Sequence, residues 1–176
     1  NVAILGIEVV DGGPERSASV ANALARVKPD VDFIAVHDAA RPCIANEWID
    51  NVFHAAEKSG AAILAIPIAG TIKRVANGNI EETVPRANLW EAQTPQVFQR
   101  KLLLDAYAKR GESPATDDAE LVERLGKPVT IVEGSPINLK ITTKEDRRLA
   151  SQALKALPKP KGLGGLHPFE NDDMWR

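Results

Sequence analysis

The sequence predicts an α/β domain with a mostly parallel sheet, because apolar runs of strand length alternate with segments whose apolar residues recur at helical spacing. The apolar runs are rich in β-branched residues and end in polar or turn residues, a pattern typical of strands buried on both faces. The chain has 176 residues, of which 44% are hydrophobic, so one globular domain with a substantial core is expected. Strands are predicted at residues 7–10, 33–36, 61–66, 89–92, 129–132 and 138–141.

Helices are predicted in the intervals between these strands. Two polar spacings, one beginning at Asp117 and the other at Thr143, are typical of the capping boxes that open helices. The other helices follow from apolar residues at helical spacing. The predicted helices cover residues 20–27, 48–56, 102–107, 118–125 and 144–157. The last helix is expected to bury Leu149, Ala150, Ala153, Leu154 and Leu157.

Residues 70–86 are predicted to form a projecting β-hairpin, here called the arm. Two strand-like runs flank Asn77-Gly78, a dipeptide that supplies the positive φ angles of a tight turn. The charges of the arm are also what any solvent-exposed hairpin would carry. The length of the arm and its proline-flanked base indicate that the arm packs against another subunit, so we expect a homodimer.

Composition excludes several classes of function. The 22 Lys and Arg residues against 24 Asp and Glu residues leave a net charge of −2 without a basic stripe, so neither nucleic acid nor a membrane is an expected partner. The single cysteine, Cys43, excludes an intrachain disulfide and a multi-cysteine zinc site. No apolar run approaches the roughly 18 residues of a membrane span, and we expect a cytoplasmic location.

The first candidate binding loop follows the strand predicted at 7–10. In open α/β sheets the ligand crevice lies beyond the carboxyl ends of the strands. Gly12 and Gly13 there allow the backbone to approach a ligand closely. Arg16 and Ser19 stand at the start of a helix, where a phosphate or a nucleotide edge can be bound. The alternative is a plain turn followed by a helix cap.

The second candidate loop is His37-Asp38-Ala39-Ala40-Arg41-Pro42, directly after the strand predicted at 33–36. A carboxylate at this edge of the sheet, beside an arginine, can bind a magnesium ion that is also bound to phosphates. The alternative is an ion pair between Asp38 and Arg41 that merely closes the loop. His37 is expected to be a packed residue with a fixed tautomer, because no second His or Cys stands at metal-ligand spacing.

Lys140 is the strongest single candidate from chemistry alone. It lies within the apolar strand predicted at 138–141, where an ammonium group is costly unless it meets a fixed anion. On the arm, Arg86 is placed to reach the active site of a neighbouring subunit if the arm grips that subunit.

Taken together, these segments resemble the 2-C-methyl-D-erythritol 4-phosphate cytidylyltransferase (IspD) family over residues 6–155. The specific part of the resemblance is the order of four motifs: His37-Asp38-Ala39-Ala40-Arg41-Pro42, Thr94-Pro95-Gln96, Thr116-Asp117-Asp118 and Asn138-x-Lys140-x-Thr142. The resemblance implies a Rossmann-like nucleotidyltransferase domain in which the arm interlocks two subunits. It also implies that CTP and methylerythritol phosphate are joined, with magnesium, and that pyrophosphate is released.

The resemblance further implies residue roles. The cytidine end of CTP would be held by Gly12, Gly13, Arg16 and Ser19, and Asp38 would serve the magnesium ion and the sugar. Arg41, Thr71 and Arg86 of a partner subunit would hold methylerythritol phosphate. They would be joined in substrate binding by Ala39, Thr94, Thr116 and Lys140. Arg86 and Lys140 are the expected catalytic residues.

One part of the family pattern has no counterpart in this chain, namely the N-terminal Gly-rich loop that wraps the triphosphate. Residues 1–5 resemble the first strand of the family, whereas the chain from Gly6 onward resembles a strand that lies well downstream. We therefore hypothesise that a segment is missing between residues 5 and 6 of a nucleotidyltransferase domain spanning 1–157. Residues 158–176 are expected to be a flexible tail.

Two other functions fit the same residues. A cytidylyltransferase acting on ribitol 5-phosphate would also place a phosphate on a small polyol against these cations. A chain that is truly truncated would instead be a non-catalytic nucleotide-binding or dimerisation module.

Overall fold

The computed structural model describes residues 6–158 and shows an α/β domain with a hairpin arm. The elements in chain order are α1 (Arg16–Leu24), β1 (Phe33–Val36), α2 (Asn46–Ser59), β2 (Ala61–Pro67), β3 (Ile72–Ala76), β4 (Asn79–Val84), β5 (Trp90–Gln99), α3 (Arg100–Ala108), α4 (Asp118–Arg124), β6 (Thr130–Glu133) and α5 (Lys144–Ala153). A short 3₁₀ turn over Leu154–Ala156 follows α5.

The main sheet has four strands in the order β1-β5-β2-β6. β6 pairs with β2 in parallel, whereas β5 is antiparallel to both β1 and β2. Three strands therefore run in one direction and β5 alone runs against them, so the predicted α/β architecture is confirmed with a mixed sheet. β5 is longer than the strand predicted at 89–92, because it continues through the Thr94-Pro95-Gln96 motif to Gln99.

The core lies on both faces of the sheet. In β2, Ala61 and Ile63 pack with α1, α3 and α4 on one face, while Ala62 and Leu64 pack with α2 on the other. This two-sided burial explains why β2 reads as a continuous apolar run in the sequence.

Two predicted strands are wrong. Residues 7–10 form no strand in the described structure, and the side chains of Ile7 and Val9 are 51% and 74% exposed. Residues 138–141 lie in the loop between β6 and α5. In both places an apolar run lacks a neighbouring strand with which to pair, and apolar character alone does not supply one.

Helices begin at both predicted caps, but only α5 has the complete capping box. The Asp117 carboxylate accepts from the backbone N–H of Glu120 at the start of α4, and Thr143 with Asp146 forms a complete capping box at the start of α5. The predicted buried face of α5 is partly wrong. Ala150 is buried, but Leu149 is 61% exposed and Leu154, in the 3₁₀ turn beyond α5, is 48% exposed, because the inward face of this helix is set by Ala150 and Ala153, one turn apart.

The arm forms a two-stranded sheet of its own, from β3 and β4. Asn77 and Gly78 have φ angles of 51° and 79°, so the predicted hairpin turn is confirmed. No helix within residues 6–158 is long and apolar enough to cross a membrane. The predicted tail over 158–176 falls outside the described residues, except for Pro158, and so does the N-terminal side of the proposed gap between residues 5 and 6.

Candidate active site

Three cationic side chains surround the carboxylate of Asp38, directly after β1. The Nζ atom of Lys140 lies 2.9 Å from Oδ2, Arg16 Nε lies 3.7 Å from Oδ1, and Arg41 Nε lies 3.9 Å from Oδ2. These four residues are called the Asp38 cluster below. Burial raises the pKa of Asp38, but the bond from Lys140 and the attraction of the three cations outweigh it and lower the pKa below its usual value. Asp118 also pairs with Arg16, so three positive charges face two negative ones and the net positive charge favours an anion.

Arg41 is the most deeply buried cation of the cluster, with its side chain only 7% exposed. Its Nη1 donates to the carbonyl oxygen of Asn138 at 2.7 Å, whereas its Nε has no hydrogen-bond partner among the described residues. This buried N–H faces the Asp38 carboxylate, so Arg41 contributes its positive charge to the cluster rather than a further hydrogen bond. The expectation that Arg41 comes from a partner subunit is wrong, because it lies beside Asp38 of its own chain.

Arg16 is held by a carboxylate that the sequence analysis did not single out. Its Nη2 donates to Asp118 Oδ2 at 2.6 Å, and Asp118 is fully buried and also accepts from the Tyr107 hydroxyl. Burial opposes the charge of Arg16, but the bond to Asp118 and the nearby carboxylates raise its pKa above the ordinary value. Asp118 stands in the Thr116-Asp117-Asp118 motif, but the sequence does not show that its side chain turns inward.

The loop that contains Gly12 and Gly13, here called the glycine loop, packs closely against the start of α1. The backbone N–H of Gly13 donates to Ser19 Oγ at 2.9 Å, and a Cβ atom at Gly13 would clash with Ala18. A Cβ at Gly12 would lie 3.3 Å from Ser19 Oγ. Gly12, Gly13 and Ser19 thus form one unit beside Arg16, and their contact with a nucleotide stays a prediction.

Thr94, which is buried in β5, joins that strand to the Asp38 loop. Its Oγ1 accepts from the backbone N–H of Asp38 at 3.0 Å and lies 2.9 Å from His37 Nδ1. His37 Nε2 donates to the carbonyl oxygen of Arg41 at 3.0 Å. Because a carbonyl can only accept, Nε2 carries the proton and Nδ1 accepts from Thr94. Ala39 lies in the turn that this network closes.

Lys140 contacts a fixed anion, Asp38, as expected. The expectation that Lys140 lies in a buried strand is wrong. It stands in a loop rather than in an apolar strand, and its side chain is 44% exposed. The sequence signal therefore lay in the motif Asn138-x-Lys140, not in burial of the ammonium group.

Thr71, Arg86 and Thr116 are not brought to the Asp38 cluster. The hydroxyl of Thr116 donates to Glu120 at 3.0 Å, and exposed Arg86 at the base of the arm donates to the carbonyl oxygen of Ala69. Thr71 is exposed just before β3. Within residues 6–158, none of the three side chains makes a hydrogen bond or ion pair with the cluster.

The donor set at Asp38 fits a magnesium ion that is held mainly by its substrates. Within the described part of the chain, no group of three or more His, Cys, Asp and Glu side chains is arranged to hold a metal. Magnesium is usually bound by one or two carboxylates together with phosphate oxygens and water. Asp38 is the carboxylate that such an ion can reach, because its side chain is 17% exposed whereas that of Asp118 is fully buried.

Comparison with known proteins identifies first a class and then a family. Solved structures share the fold: the 2-C-methyl-D-erythritol 4-phosphate cytidylyltransferase of Thermus thermophilus has a TM-score of 0.76 and 38% identity, with 83% of this chain and 72% of that chain covered. The fold is thus that of a Rossmann-like nucleotidyltransferase domain. The family model "IspD: 2-C-methyl-D-erythritol 4-phosphate cytidylyltransferase" matches residues 3–156, and the chain belongs to this family.

A curated relative agrees with that assignment. The 2-C-methyl-D-erythritol 4-phosphate cytidylyltransferase of Bacillus cereus is 47% identical over 150 residues, which are 84% of this chain and 66% of the relative. The chain thus spans about two thirds of the length of this relative.

Proposed function

We propose that the protein joins CTP and 2-C-methyl-D-erythritol 4-phosphate to give 4-diphosphocytidyl-2-C-methyl-D-erythritol and pyrophosphate, a step of non-mevalonate isoprenoid biosynthesis, in the cytoplasm. The observation that carries the proposal is the Asp38 cluster, in which Lys140, Arg16 and Arg41 converge on one carboxylate at the edge of the sheet. Relatives of this family bear the name of that activity.

The chemistry requires positioning and charge neutralisation rather than a general base. The second pKa of a phosphate monoester is about 6, so the attacking oxygen is already charged at neutral pH. This oxygen forms a bond to the α-phosphorus of CTP, while the bond from that phosphorus to the bridging oxygen breaks and pyrophosphate leaves with the electron pair. Lys140 and Arg41 hold the attacking phosphate, and Arg16 with the glycine loop holds the nucleotide.

Magnesium is the proposed cofactor, with Asp38 as its protein ligand. When bound, the ion neutralises charge on the phosphates of CTP. Lys140 and Arg16 then keep the carboxylate of Asp38 ionised and oriented, as their contacts with it already do in the free chain.

We propose that the site is completed by the arm of a second copy, which brings Arg86 and Thr71. Both residues are exposed at the base of the arm, away from the Asp38 cluster of their own chain. The arm also carries exposed Val75 and Ile80, which pair across its two strands. A groove of about 660 Å³ beside the arm, lined mainly by apolar residues such as Ile66 and Ile72, offers a further apolar surface for a homodimer.

The interruption between residues 5 and 6 is also a proposal. It is supported by the length of the match, which reaches 66% of the Bacillus cereus relative, and by the exposure of the apolar run at 7–10. Intact-mass spectrometry of the natural protein tests it: a mass well above 19.0 kDa is expected, and a mass of 19.0 kDa would show that the sequence is continuous.

Pyrophosphate release by the full-length protein tests the proposed function. With CTP and magnesium, release is expected when methylerythritol phosphate is present, and only background release without it. Ribitol 5-phosphate serves as the matched second substrate. Pyrophosphate release with ribitol 5-phosphate but not with methylerythritol phosphate would show that the protein is a ribitol-5-phosphate cytidylyltransferase. CTP binding without pyrophosphate release would show that it is a non-catalytic binding module.

A further inference from the structure

A pair of buried amide side chains anchors the loop that carries Lys140. Gln93 lies in β5, and Asn138 lies two residues before Lys140 in the loop between β6 and α5. Their side chains are 2% and 0% exposed. These two residues are called the amide clamp. Neither belongs to the residues assigned to substrate or metal above.

The hydrogen bonds of the clamp run from β5 to two points of the loop. Asn138 Nδ2 donates to the carbonyl oxygen of Thr94 at 2.9 Å and to Gln93 Oε1 at 3.3 Å. Gln93 Nε2 donates to the carbonyl oxygen of Ser135 at 2.9 Å. The Asn138 amide points its Nδ2 at these two acceptors, because a flipped amide would turn its oxygen toward both of them, and its Oδ1 has no hydrogen-bond partner among the described residues.

Gln93 packs so closely against Gly134 of the loop that no side chain fits at position 134. A Cβ atom at Gly134 would clash with Gln93 Oε1. The backbone N–H of Gly134 donates to the carbonyl oxygen of Ala65 at 2.8 Å. The loop is therefore packed against the central strands β5 and β2 at the point where it follows β6.

The same loop is also bonded to the Asp38 cluster on its other side. Arg41 Nη1 donates to the carbonyl oxygen of Asn138, and the backbone N–H of Ile141 donates to the carbonyl oxygen of Ala40 at 2.8 Å. Lys140 stands between these two anchored residues. Its own side chain is substantially exposed, and its ammonium group pairs with no side chain other than Asp38 among the described residues, so the backbone of the loop must set where the ammonium group lies.

We propose that Asn138, supported by Gln93, is a positioning residue that places the Lys140 ammonium group for the phosphate-transfer step. The proposal rests on the proposed function, in which Lys140 touches the reacting phosphate. It differs from a purely structural role, because the effect of the clamp must pass through Lys140.

A double-mutant cycle in the full-length protein separates the two roles. Asn138→Ala is expected to lower kcat roughly tenfold or more, since misplacing a catalytic group by about 1 Å can cost about a hundredfold. The KM for CTP is expected to change by less than about threefold, because Arg16 and the glycine loop, rather than Lys140, hold the nucleotide. In the Lys140→Ala background, Asn138→Ala is expected to lower kcat by less than about twofold. A full multiplicative loss in that background would overturn the proposal.

Gln96 provides a matched control. It is also a buried amide of β5, but it caps α4 by accepting from the N–H groups of Asp118 and Ala119. Gln96→Ala is expected to have the same fold-effect in the wild-type and Lys140→Ala backgrounds. If Gln96→Ala were as non-additive as Asn138→Ala, the coupling would not be specific to the clamp and the proposal would fail.

A crystal structure of Asn138→Ala gives a measurement independent of activity. Loss of the 2.9 Å contact between Lys140 Nζ and Asp38 Oδ2 is expected, and its retention would overturn the proposal. Gln93→Leu provides the same cycle and the same structural test if Asn138→Ala does not fold. A wild-type protein without pyrophosphate release would refute the proposed function, while the crystallographic distance would still decide the role of the clamp.

Discussion

The Asp38 cluster and the arm differ in how far a single chain completes them. In the cluster, three cationic side chains meet around the Asp38 carboxylate, and two of them, Arg16 and Lys140, come from distant parts of the sequence. On the arm, Arg86 and Thr71 are exposed, and within residues 6–158 Arg86 bonds only to the backbone carbonyl of Ala69. Both regions were predicted to bear catalytic or binding residues, yet only in the cluster do such residues come together within residues 6–158 of one chain.

The difference indicates where each half of the proposed site gets its rigidity. The cluster is held by buried hydrogen bonds from β5 and by Asp118, so its cations are positioned before any ligand binds. Among the described residues, the arm has ladder bonds, exposed pairs such as Arg74 with Glu82, and the bond from Arg86 to Ala69. Under our proposal, association with a second copy fixes the arm and delivers its cation.

Lys140→Ala tests the cluster half and should have the largest effect. We expect kcat to fall by roughly a hundredfold or more, as when a preorganised charged donor is lost. Steady-state pyrophosphate release measures it. Lys155→Ala is the control, because Lys155 is an exposed lysine beyond α5. Equal activity of the two variants would remove Lys140 from the site.

Arg86→Ala tests the arm half. A loss of roughly a hundredfold or more is expected here too, with the ion pairs of the Asp38 cluster unchanged in a crystal structure. The exposed arginine of α5, Arg147, supplies the comparison variant Arg147→Ala. Normal turnover by Arg86→Ala would mean that the arm contributes no cation to the site.

Ile80→Asp asks whether the arm is an interface. Ile80 is 63% exposed in the single chain, and burying such a side chain contributes about 1.5–3 kcal/mol. The dimer dissociation constant is therefore expected to rise by roughly tenfold or more, as measured by sedimentation. Glu81→Asp, at the next position of the arm, is the mild control. An unchanged oligomeric state would place any interface elsewhere.

Thr143→Ala should have the smallest effect and concerns the far end of the Lys140 loop. The Thr143 hydroxyl caps α5 by accepting from the N–H of Asp146 at 3.2 Å, and loss of such a cap costs about 1 kcal/mol. Urea unfolding should show that loss. Turnover should stay within about twofold of wild type, because the amides of Gln93 and Asn138 hold the loop near Lys140. A large loss of turnover with little loss of stability would contradict this view.

The sequence predicted those parts of the site that depend on residues close to one another along the chain. Asp38 was found because it follows an apolar strand directly, and the helix starts were found from the capping residues Asp117 and Thr143. These signals lie within a few positions of one another, so they need no knowledge of the fold.

The remainder depends on contacts between distant residues. Asn138 bonds to Gln93 across 45 positions, and Arg16 bonds to Asp118 across 102. Nothing local distinguishes these buried amides and this carboxylate from exposed ones. The same reason explains the error at residues 7–10, where an apolar run predicted a strand although strand formation needs a partner elsewhere in the chain.

Subunit complementation tests the two-copy site most directly. Full-length Lys140→Ala and Arg86→Ala proteins, each inactive alone, are mixed at equal concentration, allowed to exchange subunits and assayed for pyrophosphate release. Random exchange makes half of the dimers mixed, and each mixed dimer holds one site with both cations, so about a quarter of wild-type activity should return. A mixture that exchanges subunits but stays as inactive as its components would contradict the account.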